Sequence, residues 1–265
     1  MPFMHATQRE SIILDLLAKH DFVSFRDIEA KLDGSPATIR RDLERLDEEG
    51  KIIRVRGGAK SVASDDGQTK ADLKLFGTPF HENVVLNTQQ KKAIGQAAAR
   101  LCNAGEGIMI DGGSTTLQMC PFLEGLNLQV LTNSLHIVQA LGAQPGTRVL
   151  IPGGAVFPEQ NIVLPLFGED LTPAFHAPKL FMGAAALSAR GLMQDDVVLV
   201  ASERRFMERA EEVIVLADAS KFESSSGNVV CPLTEIDVLV TDSRLGDKDA
   251  STLEAAGIKL IIADA

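Results

Sequence analysis

The sequence contains no tryptophan and no tyrosine, and its large aromatic side chains are limited to 12 phenylalanines. Binding sites for neutral sugars and for single-stranded bases commonly stack their ligands on Trp or Tyr rings. The composition therefore excludes sites of that kind. We expect any ligand to be held mainly by polar groups.

Cysteine and histidine are also scarce. Cys102, Cys120 and Cys231 are far apart in the chain, odd in number and form no C-x-x-C motif. This pattern argues against a disulfide framework and against a thiolate metal site. No metal site is expected from the histidines either, because they lack paired ligand spacing. The histidines are His5, His20, His81, His136 and His176.

Long apolar runs are missing as well. None approaches the roughly 20 residues that a membrane-spanning helix needs. The first residues, MPFMHATQRE, lack the basic and then apolar order of a signal peptide. We therefore expect a cytoplasmic protein with no membrane partner.

The charge is distributed unevenly. The chain carries 26 basic and 36 acidic residues, a net charge of −10 that by itself argues against a protein that coats nucleic acid. Residues 1–60 hold 11 basic and 11 acidic residues, so the remainder carries the whole excess. Between Ser35 and Lys60, seven basic residues face five acidic ones, which makes this stretch locally basic.

Composition and periodicity divide the chain into two domains. Residues 1–60 form a small helical module, and residues 61–79 mix Ser, Asp, Gly and Lys with little periodicity, as a linker does. Residues 80–265 form a larger domain with a different pattern.

The small module has the pattern of three short helices followed by a hairpin. Apolar residues recur at helical spacing, with buried stripes that we place at Ile12–Leu17, Phe25–Leu32 and Ile39–Leu46. Ser35 and Pro36 mark the start of the third helix. After Gly50, the run KIIRVRGGAK alternates apolar and basic residues, which is typical of a short hairpin wing.

The third helix turns small, hydroxyl and guanidinium side chains away from its apolar stripe. A helix fits the major groove, where Arg bonds guanine and Ser or Thr meets bases and phosphates. Wing arginines reach phosphates or the minor groove. The alternative is a plain helix bundle with solvated charges. The predicted contacts to double-stranded DNA are Ser35, Ala37, Thr38, Arg40, Arg41, Arg45, Arg54 and Arg56.

The larger domain alternates helical stretches with short apolar runs. The runs KLFMGAA, VIVLAD, IDVLVTD and IKLIIAD are nearly continuous Val, Ile and Leu, as in parallel strands that are covered on both faces. The fold class expected for this domain is therefore α/β with a doubly wound sheet. Ligands of such sheets bind beyond the carboxyl ends of the strands.

Polar residues and glycines follow several of these strands. The turn DGGSTT after GIMID offers three hydroxyls and free backbone N–H groups to an anion. It matches neither G-x-x-x-x-G-K-S/T nor G-x-G-x-x-G, so no nucleotide cofactor is expected. Each residue also has a plain alternative as a cap, a turn or a surface charge. The predicted ligand positions are Asp111, Gly113, Ser114, Thr115, Thr116, Thr132, Asn133, Gly153, Gly154, Gly183, Ala184 and Lys221.

The run SPATIRRDLERLDEEGKIIRVRGGA resembles the winged helix-turn-helix of the DeoR family of bacterial transcriptional regulators. Residues 6–60 carry this resemblance, which implies operator binding. Residues 80–263 resemble the sensor domain of the same family, through KKAIGQAA, DGGSTT, LTNS, PGG, FMGA, SERRFMERA, LADASKF and CPLTEIDVLVTD. That domain is similar in fold to ribose-5-phosphate isomerase.

The resemblance implies a phosphorylated sugar or related metabolite as effector. Ser114, Thr115 and Thr116 would hold the phosphate with Lys221 as counter-charge, and Asp111, Asn133 and Glu203 would bond sugar hydroxyls. Gly153, Gly154, Gly183 and Ala184 would shape the wall. The chain departs from the family at Ser202–Arg205, where an Asp-Glu-Ala triplet or similar is common. This departure bears on which sugar is recognised.

The resemblance further implies a repressor of a carbohydrate operon that acts as a homodimer or homotetramer and is released by its effector. The alternative is a phosphosugar isomerase-like enzyme, because Asp111, Glu203 and Lys221 resemble the groups that such enzymes use. We expect no enzymatic activity, since fold alone does not transmit activity.

Overall fold

The computed structural model describes residues 6–19, 22–32, 35–55, 58–61, 75–165 and 172–264. The chain divides into two compact units, residues 1–72 and residues 73–265. Residues 75–79 of the predicted linker thus belong to the second unit. Arg56 and residues 62–74 lie outside the described residues.

In its described part, the first unit consists of three helices and a small antiparallel sheet in the order β1-β3-β2. The three predicted helices and the hairpin wing are confirmed, while β1 is a strand that the sequence pattern did not indicate. Buried Ile13, Leu17, Ile28, Ile39 and Leu43 pack in one cluster. The elements are α1 (Ala6–Lys19), β1 (Phe22–Ser24), α2 (Phe25–Lys31), α3 (Pro36–Glu48), β2 (Ile52–Val55) and β3 (Gly58–Ser61).

The second unit alternates helices and strands. Its helices are α4 (Phe80–Asn83), α5 (Thr88–Ala99), α6 (Leu135–Gly142), α7 (Val197–Met207) and α8 (Asp247–Ala255). Its strands are β4 (Gly107–Ile110), β5 (Gln129–Leu131), β6 (Arg148–Leu150), β7 (Ala155–Phe157), β8 (Ile162–Leu164), β9 (Ala177–Met182), β10 (Ala186–Ser188), β11 (Gly191–Gln194), β12 (Ala210–Leu216), β13 (Asn228–Cys231), β14 (Val238–Asp242) and β15 (Lys259–Ala263). Three 3₁₀ helices span Thr116–Phe122, Ala219–Phe222 and Leu233–Glu235.

Seven strands of this unit form one parallel sheet in the order β15-β14-β12-β9-β4-β5-β6. From β4 the chain moves to β5 and β6 on one side, and from β9 it moves to β12, β14 and β15 on the other. The strand order therefore reverses between β4 and β9. This is the topological switch point at which doubly wound sheets bind their ligands.

Both faces of the sheet are covered, as the Val- and Ile-rich strands predicted. Successive residues of β4 alternate between two cores, with Met109 in one and Ile108 and Ile110 in the other. Helix α7 packs on the first face through Phe206, and α5 packs on the second through Ile94. The α/β class with a parallel sheet is confirmed.

Two small antiparallel sheets accompany the main sheet, β10-β11-β13 and the pair β7-β8. The sequence pattern did not indicate them, because their strands are only three or four residues long.

The three cysteines are free thiols, and burial raises the pKa of each, to about 12 for Cys102 and Cys120 and to about 11 for Cys231. No described helix combines the length and the hydropathy needed to cross a membrane.

Helix α5 approaches the 3₁₀ helix Thr116–Phe122 closely at Gly95. A Cβ at this position would lie 2.6 Å from the backbone oxygen of Gln118. Gly95→Ala should therefore lower the free energy of unfolding by roughly 1–3 kcal/mol through overpacking. The midpoint of urea unfolding measures the effect.

Gly142→Ala is the matched control, because nothing lies within 4 Å of the added Cβ at the end of α6. This variant should keep or slightly raise the stability, as alanine favours helix. Equal midpoints for Gly95→Ala and the parent would contradict the close contact.

Candidate functional site

Helix α3 carries the surface to which we assign DNA contacts. Ser35 caps the helix, since its Oγ accepts a hydrogen bond from the backbone N–H of Thr38 at 3.2 Å. Pro36 follows at the first helical position, where no backbone donor is required. The face opposite the buried stripe is exposed, and it includes Ala37, Arg40 and Arg41.

The two exposed arginines differ in their surroundings. The Arg40 guanidinium lies 5.2 Å from the centre of the Phe25 ring, at cation–π distance, and α2 therefore steadies it. Arg41 forms no ion pair with any residue that the structure describes. Its side chain is available to a ligand outside the chain.

Two other predicted DNA contacts have partners within the first unit. Arg45 Nη1 lies 3.1 Å from a carboxylate oxygen of Glu10 and 3.0 Å from one of Glu49. Arg54 Nη1 lies 2.8 Å from Glu44 Oε1. These half-exposed pairs must be given up or shared before either guanidinium binds phosphate. Helical spacing is compatible with the Arg45–Glu49 pair, whose members are four residues apart, but it could not reveal the pair with Glu10, which lies 35 residues before Arg45.

Asp42 is buried and pairs with Arg9, whose Nε lies 2.7 Å from Asp42 Oδ2. This contact ties α3 to α1. The position of Asp42 between the buried stripe and the flank of α3 indicates a structural or ion-pairing role, and the contact with Arg9 agrees with that role. Asp42 is therefore part of the support for the exposed face.

The second unit contains a cavity of about 350 Å³ at the switch point. The loops after β4 and β9 form two of its walls, and α7 and the 3₁₀ helix Ala219–Phe222 contribute to the others. The structure brings eight of the predicted ligand residues to this cavity. They are Asp111, Gly113, Ser114, Thr115, Gly183, Ala184, Glu203 and Lys221.

The turn after β4 is fixed by Thr116. Its Oγ1 donates to the backbone oxygens of Asp111 at 2.8 Å and Gly113 at 3.0 Å. Thr116 is fully buried and does not line the cavity. Ser114 and Thr115 line the cavity just before the 3₁₀ helix. Thr116 thus shapes the turn, and Ser114 and Thr115 are the residues of this turn with hydroxyl groups that border the cavity.

Asn133 also lies behind the cavity wall. Its Nδ2 donates to Asp111 Oδ1 at 2.8 Å, and its Oδ1 accepts from the backbone N–H of Gly112 at 2.8 Å. Thr132 is buried beside it, and its Oγ1 accepts from the backbone N–H of Ser134. Asn133 therefore orients the Asp111 carboxylate, and neither Asn133 nor Thr132 lines the cavity.

The two glycines after β6 lie apart from the cavity. Gly154 has a φ of +154°, and a Cβ there would lie 2.0 Å from the backbone oxygen of Leu164. Gly154 thus permits close approach to β8. Gly153 is exposed. The sequence pattern places both glycines after a strand. That strand, β6, lies at the edge of the sheet and does not adjoin β4 or β9.

Asp111 and Glu203 form a pair of buried carboxyl groups in the cavity, with exposed fractions of 4% and 2%. Gln194 Nε2 donates to Glu203 Oε1 at 2.5 Å, whereas Glu203 Oε2 is buried without a hydrogen-bond partner. Burial raises the pKa of Asp111 to about 6, against the lowering effect of hydrogen bonds from Asn133 and Gly112. Burial and the Asp111 charge raise the pKa of Glu203 well above its ordinary value.

Lys221 brings a cation to the same cavity. It belongs to the 3₁₀ helix Ala219–Phe222, which Asp218 caps by accepting from the backbone N–H of Ser220 at 3.2 Å. Asp242 Oδ2 accepts from the backbone N–H of Ala219 at 2.9 Å. Two buried carboxylates therefore hold the segment from which Lys221 extends.

Lys91 is a second cation near the cavity, and the sequence pattern did not indicate its chemistry. It is 1% exposed, and its Nζ donates to the backbone oxygen of Asn83, which lines the cavity. Burial lowers its pKa to about 8. The charge of Asp218 raises this pKa, and the charge of Lys221 lowers it. Helical spacing places Lys91 on the same face as Ile94, and this was the available signal.

The described residues contain no group of three or more His, Cys, Asp or Glu side chains that could hold a metal ion. The cavity offers a ligand hydroxyl groups, backbone groups, the carboxyl groups of Asp111, Asp195 and Glu203, and the cationic charge of Lys221. Such a set suits a small polar molecule that carries both hydroxyl groups and an anionic group.

Comparison with protein families matches both units. The model of the DeoR-like helix-turn-helix domain matches residues 9–65, and that of the DeoR C terminal sensor domain matches residues 86–243. Curated relatives include the HTH-type transcriptional regulator UlaR of Shigella dysenteriae serotype 1 and its counterpart in Escherichia coli. Each is 31% identical over 259 residues, which cover 97% of this chain and 99% of the relative.

Solved structures show weaker likeness. Ribose 5-phosphate isomerase a from Methanocaldococcus jannaschii is 18% identical with a TM-score of 0.37, over 51% of this chain and 55% of the isomerase. The probable sor operon regulator from Shigella flexneri is 12% identical with a TM-score of 0.39, over 64% of this chain and 90% of the regulator.

The buried carboxyl pair predicts a pH dependence of stability. The folded state keeps Asp111 protonated up to about pH 6, above its ordinary pKa of 3.8, so it binds more protons than the unfolded chain in this range. Asp111 therefore contributes stability that is lost as the pH rises through about 6. In Asp111→Asn, this loss should be smaller by up to roughly 3 kcal/mol.

Urea unfolding between about pH 4 and about pH 7 measures this dependence. Glu124→Gln is the control, because Glu124 is exposed and should leave the pH profile unchanged. Parallel profiles for Asp111→Asn and the parent would show that the Asp111 carboxyl is not held protonated by burial.

Proposed function

Because the chain belongs to the DeoR family and is a DNA-binding transcriptional regulator, we propose that it represses a carbohydrate operon and leaves its operator when a phosphorylated sugar or related metabolite binds the second unit. The observation that carries the proposal is the switch-point cavity. It combines anion-binding groups with a pair of buried carboxyl groups in one cavity.

The operator contacts are proposed to centre on the exposed face of α3. Arg41 is free of ion pairs within the described residues and is positioned to enter the major groove. Ser35, Ala37, Thr38 and Arg40 adjoin it on the same face. Arg45 and Arg54 have carboxylate partners nearby, so their contribution to affinity is expected to be smaller.

The phosphate group of the effector is proposed to bind at Ser114 and Thr115, whose hydroxyls and backbone N–H groups reach the cavity. A phosphate dianion out of bulk water requires positive charge beside it. Lys221 lines the cavity and supplies this charge, and the buried ammonium of Lys91 adds to the local potential. A neutral sugar would make no use of this positive charge.

The sugar hydroxyls are proposed to bind Asp111 and Glu203. Glu203 Oε2 has no hydrogen-bond partner, and a buried acceptor in this state costs roughly 1–3 kcal/mol. A hydroxyl donor would remove that penalty. Asn133 takes part indirectly, because it fixes the orientation of Asp111.

Repression requires that effector binding and operator binding favour different states of the protein. A coupling of about 1–3 kcal/mol would change operator affinity several-fold to a hundred-fold. We also propose a homodimer or homotetramer, because paired units read operator half-sites at a fixed spacing. Light scattering on the purified chain tests the oligomeric state.

A phosphosugar isomerase is the second candidate, favoured by the location of Asp111, Glu203 and Lys221 around one cavity. We propose binding without turnover, since the relatives that span the whole chain carry the name of transcriptional regulators. Incubation with triose, pentose and hexose phosphates, followed by analysis for isomerised products, separates the two functions.

Arg41→Ala should weaken operator binding by roughly 1–3 kcal/mol, because a guanidinium that reads a base is lost. The measurement is a fluorescence anisotropy titration, at fixed salt, with a duplex that the parent protein selects from random-sequence DNA. Arg190→Ala, which removes an exposed arginine of the second unit, is the control. Equal affinity of Arg41→Ala and the parent would exclude Arg41 from the interface.

Lys221→Ala should weaken binding of a sugar phosphate while leaving operator affinity without effector unchanged, because only the cavity loses a cation. Calorimetric titration with the tightest-binding member of the sugar phosphate panel measures this loss. Lys248→Ala on α8 is the control for a general change in charge. If Lys221→Ala and the parent bind that sugar phosphate equally, Lys221 is not the counter-charge.

A further inference from the structure

A short segment without helix or strand at the start of the second unit, residues 75–79, forms part of the cavity wall. We call it the strap. Phe76 and Thr78 line the cavity, and so does Phe80 at the start of α4. The strap directly follows residues 62–74, through which the chain arrives from the DNA-binding unit. The wall of the effector cavity thus includes the chain segment nearest to that connection.

The strap is attached to two other walls of the cavity. On one side, the backbone N–H of Phe76 donates to Asp196 Oδ2 at 2.9 Å. On the other side, the β7–β8 turn binds it, because Gln160 Nε2 donates to the backbone oxygen of Thr78 at 2.9 Å. Next to it, the backbone N–H of Phe80 donates to the backbone oxygen of Glu159 at 2.8 Å.

Glycine allows the strap to pass close to the start of α7. Gly77 has a φ of +110°, a conformation that other residues adopt only with strain. A Cβ at this position would lie 2.6 Å from Asp195 Oδ2. The strap therefore fits against the Asp195–Asp196 segment only with glycine at position 77.

One face of α7 connects the strap to the ligand groups. Asp196 caps the helix, since its Oδ1 accepts from the backbone N–H of Val198 at 2.7 Å, and it binds the strap through its other oxygen. Leu199 packs in the same apolar cluster as Leu75. Glu203 follows four residues later with an unpartnered oxygen in the cavity. Positions 196, 199 and 203 share one side of a helix.

We propose that the strap is the element that transmits effector occupancy to the DNA-binding unit, with Asp196 as the positioning residue that holds it to α7. This inference rests on the proposed function, because it requires an effector in the cavity. A ligand that binds Glu203 displaces α7. Asp196, which caps the start of α7, also holds the strap. The strap moves with α7, and the strap is the described segment of the second unit that comes first after the DNA-binding unit in sequence.

The lack of Trp and Tyr permits a direct optical test. Phe76→Trp in the full chain introduces a unique indole on the strap, at a side chain that is 75% exposed. A triose, pentose or hexose phosphate that binds the parent in calorimetry should shift the emission of this indole. Val229→Trp on β13 is the matched control, at an exposed apolar position outside the cavity wall, and its emission should stay constant.

Two variants test transmission. Asp196→Asn keeps a side-chain oxygen for the helix cap, at which Asn and Asp are equivalent, but turns an amide group toward Phe76 and removes the strap bond. Gly77→Ala displaces the strap without changing α7. Both variants should still bind the sugar phosphate, yet the several-fold to hundred-fold loss of operator affinity seen in the parent should largely disappear.

The outcomes distinguish a failure of the proposed function from a failure of the role proposed for the strap. If no member of the sugar phosphate panel binds the parent, the proposed function fails, and the role of the strap fails with it. If a sugar phosphate binds and releases the parent from DNA while both strap variants respond fully, the inference alone is wrong. Unchanged emission of the Phe76→Trp variant while a sugar phosphate binds would also contradict the inference. Retained thermal stability of both variants shows that lost response is not lost folding.

Discussion

Strands β4 and β9 lie side by side in the sheet, but the chain leaves them in opposite directions, and the loops that follow them therefore separate. The space between these loops cannot be filled by a crossover helix, so it remains open as the cavity of the second unit. Asp111 follows β4 and Gly183 follows β9, and both residues line the cavity. The other residues that line the cavity lie around the space between these two loops.

Burial determines the electrostatics of both units. In the cavity, Asp111 and Glu203 lie out of water without a cation at hydrogen-bonding distance among the described residues, so protonation or hydroxyl donors satisfy them best. Lys91 is buried too, with its pKa lowered to about 8. In the first unit, Arg40, Arg41, Arg45 and Arg54 remain half or fully exposed. Carboxylates of the same unit pair with Arg45 and Arg54, whereas Arg40 and Arg41 form no ion pair in the described part of the chain. The net charge of −10 therefore says little about how this protein meets DNA.

Local pattern predicted the α/β class, the three helices of the first unit and the Val- and Ile-rich strands, because burial on one or two faces leaves a periodicity in the sequence. It also indicated Asp111, Ser114 and Lys221 as strand-end groups that now line one cavity. It could not separate them from Asn133, Thr116 and Gly154, since all six follow strands. Only the contacts show that Asn133 and Thr116 support the turn after β4 and that Gly154 approaches β8. Phe76, which donates to Asp196, and Glu10, which pairs with Arg45, lie 120 and 35 residues away from these partners in sequence, and no local pattern reveals such contacts.

We propose that the cavity at the switch point recognises a phosphorylated sugar and that its occupancy controls operator binding. Anisotropy of a labelled operator duplex bound to the full-length protein, titrated in parallel with sugar phosphates and the same sugars without phosphate, tests it most directly. At least one sugar phosphate should lower operator affinity, by about 5- to 150-fold, while its unphosphorylated counterpart has no effect at the same concentration. Unchanged operator affinity with every sugar phosphate, or equal release by a free sugar, would contradict the claim.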